Sequence, residues 1–340
     1  MEAPANAAAV ACVHGLHPCV ANNKNIAANA SSRPIILTTK AEVHARTAAA
    51  RVGFVPTMGA LHEGHLDLVR AARRDRDQGR IDAIGVSIFV NPAQFAANED
   101  LDRYPQSLDA DVELLAAEGV DFVFAPSARE MYPHGLPLNT KLHISDATTK
   151  PEGASRPHFF DGVALVCNKL FNIVQPTIVY FGEKDAQQCA TIQGMVEDLD
   201  IGYRGQFLEV CTVPTRREAD GLAMSSRNRN LTTKARQQAV VIPQALTAGL
   251  TRLTAAHRGE LPPITVAELE ATILQSLAHE PALTVHYVAV TDARLRPFPP
   301  TAILDTNVAY SDPIIISCAG TIGNVRLIDN MRFTGGHPGA

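Results

Sequence analysis

Five short apolar runs, "VGFVP", "DAIGVSIFV", "VDFVFAP", "TIVYFG" and "LEVCTVP", recur between Val52 and Pro214, each closed by proline, glycine or asparagine. Runs apolar at nearly every position, rather than at alternate ones, suit strands buried on both faces. The stretches between them carry helical spacing instead. Val163, Val166, Leu170 and Val174 form one stripe, opened by Asp161 and Gly162; Cys189, Ile192, Val196 and Leu199 form another. Ser107 stands where it can cap a helix whose Leu108, Val112, Leu115 and Ala116 share a face and which stops at Gly119. This alternation across residues 33–213 predicts an α/β architecture, a Rossmann-like doubly wound parallel sheet. Function is expected where the runs end.

After Pro214 the pattern changes. A polar loop, "TRREADGLAMSSRNRN", leads to a helical stretch through about Leu253, a second helix near Val266 to Leu277, and the strands "VHYVAV" and "PIIISCAG". Residues 214–340 read as a smaller α+β domain that closes over the ligand site, and residues 1–32 as an Ala-rich flexible leader. With 340 residues, 46% hydrophobic and 19% charged, the chain can build two cores.

The formal charge of -5, with basic residues scattered, gives no footprint for nucleic acid or an anionic membrane surface. No apolar run is long enough to cross a bilayer. The six cysteines lack CxxC spacing, which suits free thiols in a reducing compartment, and a cytoplasmic location is expected. Cys12, His14, His17 and Cys19 lie close together in the leader, but their spacing matches no standard zinc module. One lysine before Arg33 is a poor match to an Arg-rich transit peptide.

The stretch from Arg51 to Arg74, "RVGFVPTMGALHEGHLDLVRAARR", joins a strand, a glycine turn and a helix start. Such a junction is an anion site, because first-turn N–H groups have no partner within the helix and its dipole is positive there. Gly59 lets backbone approach a phosphate. His62 and His65, three apart, project from one side of a first turn and can both donate to one polyphosphate. Imidazole can also hold or release a proton near neutral pH.

"PTMGALHEGH" resembles the nucleotide-binding signature of the pantothenate synthetases, members of the His-x-Gly-His nucleotidyltransferase superfamily. "FVNPAQF", "LDRYP", "RPHFFDGV" before "NKLFNIVQP", "FGEKDAQQ", "VPTRREADGLAMSSRN" and "VRLIDN" resemble the same family, in its order. The resemblance implies ATP-dependent condensation of pantoate with β-alanine, giving AMP and pyrophosphate through a pantoyl adenylate. It also implies a homodimer. By the same resemblance, His65, His62 and Lys184 are the catalytic residues, with His65 the proton donor. Met58, Gly59, His62, Gly64, His65, Gly182, Lys184, Asp185, Arg216, Met224, Ser225, Ser226 and Arg227 hold ATP. Met58, Gln94 and Gln188 hold pantoate or β-alanine. A glutamine amide donates and accepts at once, which suits a hydroxy acid. Asp185 can also cap the helix that follows it.

Magnesium is implied with the triphosphate, and Asp111 is its expected protein contact, although Ala110 stands where the family often has an acid. A second departure is "SRPHFFDGV", in which His158 directly follows Pro157 and Phe159 takes the family's usual histidine place, leaving a role for His158 open. Extra sequence around Tyr203 reads as a surface insertion. Two alternatives share these motifs: a related nucleotidyltransferase acting on a phosphate ester, which needs no paired glutamines, and an ATP-binding protein without turnover.

Overall fold

The structure is a computed structural model that describes residues 33–95, 107–304 and 313–334. The leader cluster from Cys12 to Cys19 and the "LDRYP" stretch lie outside the described residues. In chain order the first part contains β1 (Ile35–Leu37), α1 (Lys40–Thr47), β2 (Val52–Thr57), α2 (Glu63–Asp77), β3 (Ala83–Ile88), α3 (Leu108–Ala117), β4 (Phe122–Phe124) and α4 (Ala128–Met131). It continues through α5 (Pro151–Ser155), α6 (Phe159–Val174), β5 (Ile178–Gly182), α7 (Ala186–Asp198), β6 (Gly202–Tyr203), β7 (Gln206–Phe207) and β8 (Glu209–Val213).

Six of these strands form one parallel sheet in the order β1-β4-β3-β2-β5-β8. The five apolar runs are its strands β2, β3, β4, β5 and β8; in the first four successive residues enter different cores, whereas β8 is an edge strand with Glu209 and Thr212 exposed and lacks the double burial its run predicts. Phe54, Phe122 and Val179 pack under one helical layer, whereas their neighbours Val55, Val123 and Tyr180 pack under the other. The sixth strand, β1, was not among the runs. It has three residues, Ile35 and Ile36 are exposed, and it is recruited to the sheet edge by β4.

From β2 the chain steps to β3 and β4, then returns to place β5 on the other side of β2. That reversal opens a crevice beyond the carboxyl ends of β2 and β5, the place where open α/β sheets bind ligands.

Two helix expectations need correction at their ends. In α3, Leu108 is exposed while Asp111 is buried, and the Ser107 side chain makes no capping hydrogen bond. In α7, Leu199 falls beyond the last turn and is 53% exposed, while Cys189, Ile192 and Val196 are buried as their spacing predicts. The extra segment at Tyr203 is also more than a surface insertion. It forms the β6–β7 hairpin, turned by Arg204 and Gly205 with φ of 57° and 79°. Tyr203 packs against the core, and the Arg204 guanidinium donates to the carbonyls of Thr47 and Ala50 at the end of α1.

The remaining chain forms α8 (Thr233–Gln238), α9 (Val241–His257), β9 (Ile264–Thr265), α10 (Val266–Leu277), β10 (Leu283–Thr291), β11 (Ile303–Leu304), β12 (Ile314–Ile322) and β13 (Val325–Phe333). The antiparallel sheet β10-β12-β13 packs on α9 and α10 through a separate core including Leu246, Leu269, Ile273, Ile314 and Ile316. Strand β13, which contains "VRLIDN", was not anticipated as a strand. Among the described residues no helix is long and apolar enough to cross a membrane.

Candidate active site

The loop after β2 sets the site's geometry. Its residues Gly59 and Ala60 take positive φ, 85° and 52°, a turn tight enough to deliver the chain from β2 into α2. The Asp111 carboxylate, from α3, accepts the N–H groups of Ala60 at 2.9 Å and Leu61 at 2.8 Å. A Cβ on Gly59 would lie 3.0 Å from Asp111 Oδ2, so glycine is needed for this approach as well as for its φ. Gly59 is buried and shapes the loop; it is not among the residues that line the cavity described below.

Asp111 is 2% exposed, with both carboxylate oxygens directed at the loop. It anchors backbone and does not face the crevice, which corrects its expected role as the magnesium contact. Among the described residues no group of three or more histidine, cysteine or acidic side chains has a metal-holding arrangement. Among the described residues Asp185 is the one carboxylate lining the cavity, so a magnesium ion there would be held mainly by the phosphates of the nucleotide.

At the start of α2, His62 and His65 cap the helix reciprocally. Gly64 N–H donates to His62 Nδ1 at 3.1 Å, and His62 N–H donates to His65 Nδ1 at 3.3 Å. A backbone N–H can only donate, so each Nδ1 is unprotonated and each neutral ring carries its proton on Nε2. The rings lie 4.1 Å apart between centroids. Burial first, then the cations Lys184 and Arg229, lower the His62 pKa to about 4. Burial, then His62, Lys184 and Arg229, lower that of His65 to about 3. The expected titration near neutral pH is thus not a property of the free protein, and both rings stand as neutral N–H donors.

These rings line a cavity of about 210 Å³ at the ends of β2 and β5. The cavity also brings together Met58, Gly64, Gln94, Gly182, Lys184, Asp185, Gln188, Arg216, Met224, Ser225, Ser226 and Arg227, as the sequence led one to expect. At Gly182 the φ of -84° is ordinary and a Cβ would meet no atom within 4 Å, so the glycine keeps space open rather than permitting a turn. Asp185 makes no side-chain cap on α7; its carboxylate lies 3.6 Å from Lys184 Nζ. Arg216 pairs with Asp67 at 3.4 Å, and its carbonyl accepts the Met224 N–H. Ser225 Oγ accepts the Arg227 N–H at the start of the turn Ser226–Asn230.

Of the two glutamines in "AQQ", only Gln188 faces the cavity. Gln187 is buried, accepts the N–H groups of Glu152 and Gly153, and donates to the Ala147 carbonyl. Gln94, in the turn Pro92–Gln94 beyond β3, accepts from Asn91 Nδ2 at 3.0 Å and donates to Met58 Sδ at 3.2 Å. His158 is exposed and lines neither this cavity nor its neighbour. Phe159 lines both, with the Arg156 guanidinium 3.7 Å from its ring centroid.

That neighbouring cavity, of about 440 Å³, lies between the parallel-sheet part and the antiparallel sheet. It shares Phe159, Lys184, Asp185, Gln188, Ser225 and Arg227 with the first.

Sequence reasoning missed several contributors. Arg229 reaches the Leu61 carbonyl and helps to keep the histidines neutral; its signal was the second arginine of "SSRNRN". Asn330 donates to the carbonyls of Glu183 and Lys184, while Asp329 holds Arg217 through two hydrogen bonds. Both sit in "VRLIDN", which marked the family but had no assigned role.

A neutral histidine pair at a helix start, a lysine at the next strand end and a serine–arginine turn define a polyphosphate-handling α/β enzyme of the His-x-Gly-His type. Comparison with known proteins sharpens that class. Residues 35–332 match the model of the family described as pantoate-beta-alanine ligase. The pantothenate synthetase of Acidobacterium capsulatum is 46% identical over 82% of this chain and 85% of its own length. That of Corynebacterium glutamicum (strain R) is 46% identical over 88% and 99%. The crystal structure of pantothenate synthetase from Thermus thermophilus superposes with a TM-score of 0.75 at 40% identity, covering 87% of this chain and 98% of that one. Pantoate-beta-alanine ligase from Francisella tularensis, complexed with beta-gamma ATP and beta-alanine, gives a TM-score of 0.65 at 32% identity, covering 88% and 97%. The chain belongs to the pantoate–β-alanine ligase family, as its motifs implied.

Proposed function

We propose that this chain condenses pantoate with β-alanine using ATP, releasing AMP and pyrophosphate through a pantoyl adenylate. The observation that carries this reading is the meeting, in one cavity, of polyphosphate donors with an amide pair suited to a hydroxy acid. A carboxylate is a poor acyl donor, so its oxygen first attacks the α-phosphorus of ATP and pyrophosphate leaves. The neutral amine of β-alanine then attacks the acyl carbon, AMP leaves, and the nitrogen gives up a proton.

In this scheme the neutral His62 and His65 present Nε2–H groups to the phosphates, His65 acting as a hydrogen-bond donor to the growing charge in place of the expected proton donor, and Lys184 and Arg227 meet the charge on the departing pyrophosphate. Ser225, Ser226, Gly64 and the backbone at Met224 and Arg216 complete the nucleotide's surroundings, Gly182 leaves room for it, and Asp185 is within reach of ribose. Gln94 and Gln188, beside Met58, hold pantoate in line with the α-phosphorus. ATP enters with magnesium as its own counter-ion, and Asp111 stays outside the coordination.

The same proposal takes residues 33–213 as the nucleotide- and pantoate-binding domain and residues 214–340 as the domain that closes over ATP. It includes a cytoplasmic homodimer. The test is exchange of labelled pyrophosphate into ATP in the presence of pantoate and magnesium without β-alanine, followed by AMP release when β-alanine is added. Exchange that needs β-alanine contradicts a separate adenylate step, and exchange indifferent to pantoate points to an enzyme acting on a phosphate ester.

A further inference from the structure

A chain of buried hydrogen bonds starts at Tyr132, off the cavity, and runs through Asn91, which lines it, to one of its glutamines. Tyr132, the residue after α4, is 3% exposed, and its ring packs against Phe89 with centroids 6.3 Å apart. Its hydroxyl lies 2.6 Å from Asn91 Oδ1. Asn91 is 1% exposed, and two of the four groups around it have only one possible role, which fixes the other two. The Ala93 N–H, 3.2 Å away, can only donate, so the atom facing it is Oδ1. The Gly162 carbonyl, 3.1 Å away, can only accept, so the atom facing it is Nδ2. Tyr132 must then donate, and the Gln94 atom 3.0 Å from Asn91 Nδ2 must be Oε1. Burial pushes the Tyr132 phenol far above its ordinary pKa, so it remains a donor at every working pH.

The consequence for Gln94 is directional. Its oxygen accepts inward from Asn91, while among the described residues its Nε2 meets the weak acceptor Met58 Sδ and keeps a second N–H. In place of an amide free to donate or accept, the cavity meets a donor. The frame that holds this arrangement is tight: a Cβ on Gly162 would fall 2.3 Å from the Ala93 carbonyl oxygen and 2.6 Å from Gln94 Cα. Helix α6 therefore lies directly against the turn that carries Gln94, and nothing larger than glycine fits at that contact.

We propose that Tyr132, through Asn91, is a positioning residue that locks Gln94 as a hydrogen-bond donor to an oxygen of the acid substrate. It touches no substrate itself, since it does not line the cavity. The inference rests on the activity proposed above and names how that site selects an anionic, oxygen-rich partner. Losing one buried hydrogen bond to the relay corresponds to a change of about fivefold to tenfold in the step it supports.

The experiment compares the full-length wild type with Tyr132→Phe, Gln94→Ala, Gln94→Glu and the Tyr132→Phe/Gln94→Ala pair. Tyr132→Phe is expected to lower kcat/KM for pantoate about fivefold to tenfold, with the KM for ATP and the thermal midpoint little changed. In the Gln94→Ala background the same substitution should have much less effect, because what remains is only its hold on Asn91, which also lines the cavity. Gln94→Glu, which replaces the donor by an anionic acceptor, should impair pantoate use more than Gln94→Ala does, and this arm does not depend on how Tyr132→Phe folds. The proposal is overturned if Tyr132→Phe folds and uses pantoate like the wild type, if its loss falls equally on ATP, if the two substitutions act additively, or if Gln94→Glu matches or exceeds Gln94→Ala. A wild type whose AMP formation ignores pantoate would instead defeat the proposed function, so the two failures are distinguishable.

Discussion

His62 donates its backbone N–H to Nδ1 of His65, three residues along the same first turn, while its own Nδ1 accepts from Gly64. The pair thus caps a helix and prepares a site in one arrangement. Each ring commits one nitrogen to the backbone and presents the other, with its proton, to a ligand.

Replacing His65 by Ala removes both a cavity donor and the acceptor for the His62 N–H. Turnover should fall about a hundredfold or more, the usual scale for losing a positioned acid or transition-state donor. Stability should fall by about 1 kcal/mol, the scale of a lost cap. Steady-state kinetics and a thermal melt on the same sample check both; near-normal turnover by the folded variant refutes the role.

The histidines also fix a pH dependence. Their folded pKa values, about 4 and about 3, lie below the ordinary histidine value of 6.5. Between these limits the unfolded chain binds protons that the native state does not, so stability rises with pH across this window. It is complete above about pH 6.5 and is lost as the pH falls toward the folded values. Thermal midpoints measured from pH 7 down to pH 4 should therefore drop, and drop less in a His62→Gln/His65→Gln variant. An equal drop would show that other groups carry the acid sensitivity.

Asp111→Ala should destabilise the protein by roughly 2–4 kcal/mol, because two loop N–H groups lose a charged, buried acceptor. Activity should fall with the loosened loop, yet the magnesium concentration for half-maximal rate should stay the same. A marked shift in that concentration would restore Asp111 as a metal contact.

Gly182→Val introduces bulk into open space at an ordinary φ. The thermal midpoint should hold within a few degrees while ATP affinity, read by titration calorimetry, weakens at least about tenfold, corresponding to roughly 1.4 kcal/mol. Unaltered affinity would mean that the space beside Gly182 is not used by nucleotide.

Asn330→Ala frees the carbonyls of Glu183 and Lys184 from β13. The expected result is a rise in KM for ATP of about fivefold to tenfold, since Lys184 is no longer held against the antiparallel sheet. A change confined to the KM for pantoate would argue against this link.

The histidine stretch, the strand-end glycines and lysine, the serine–arginine turn and five of the six sheet strands could be read directly from the chain. Each is written in a local pattern: doubly buried strands are apolar at successive positions, and a helix start gathers particular residues within one turn. What tertiary structure alone decided were choices between neighbours and contacts between distant segments. Packing against residues 147–153 turned Gln187 inward and left Gln188 to the cavity. The β2–α2 loop claimed Asp111, and β4 drew three residues into an edge strand. Tyr132 reached Asn91 across 41 positions of sequence. Sequence spacing states which residues share a face of one element, but which groups meet across elements follows from packing, where each buried donor and acceptor must find a partner.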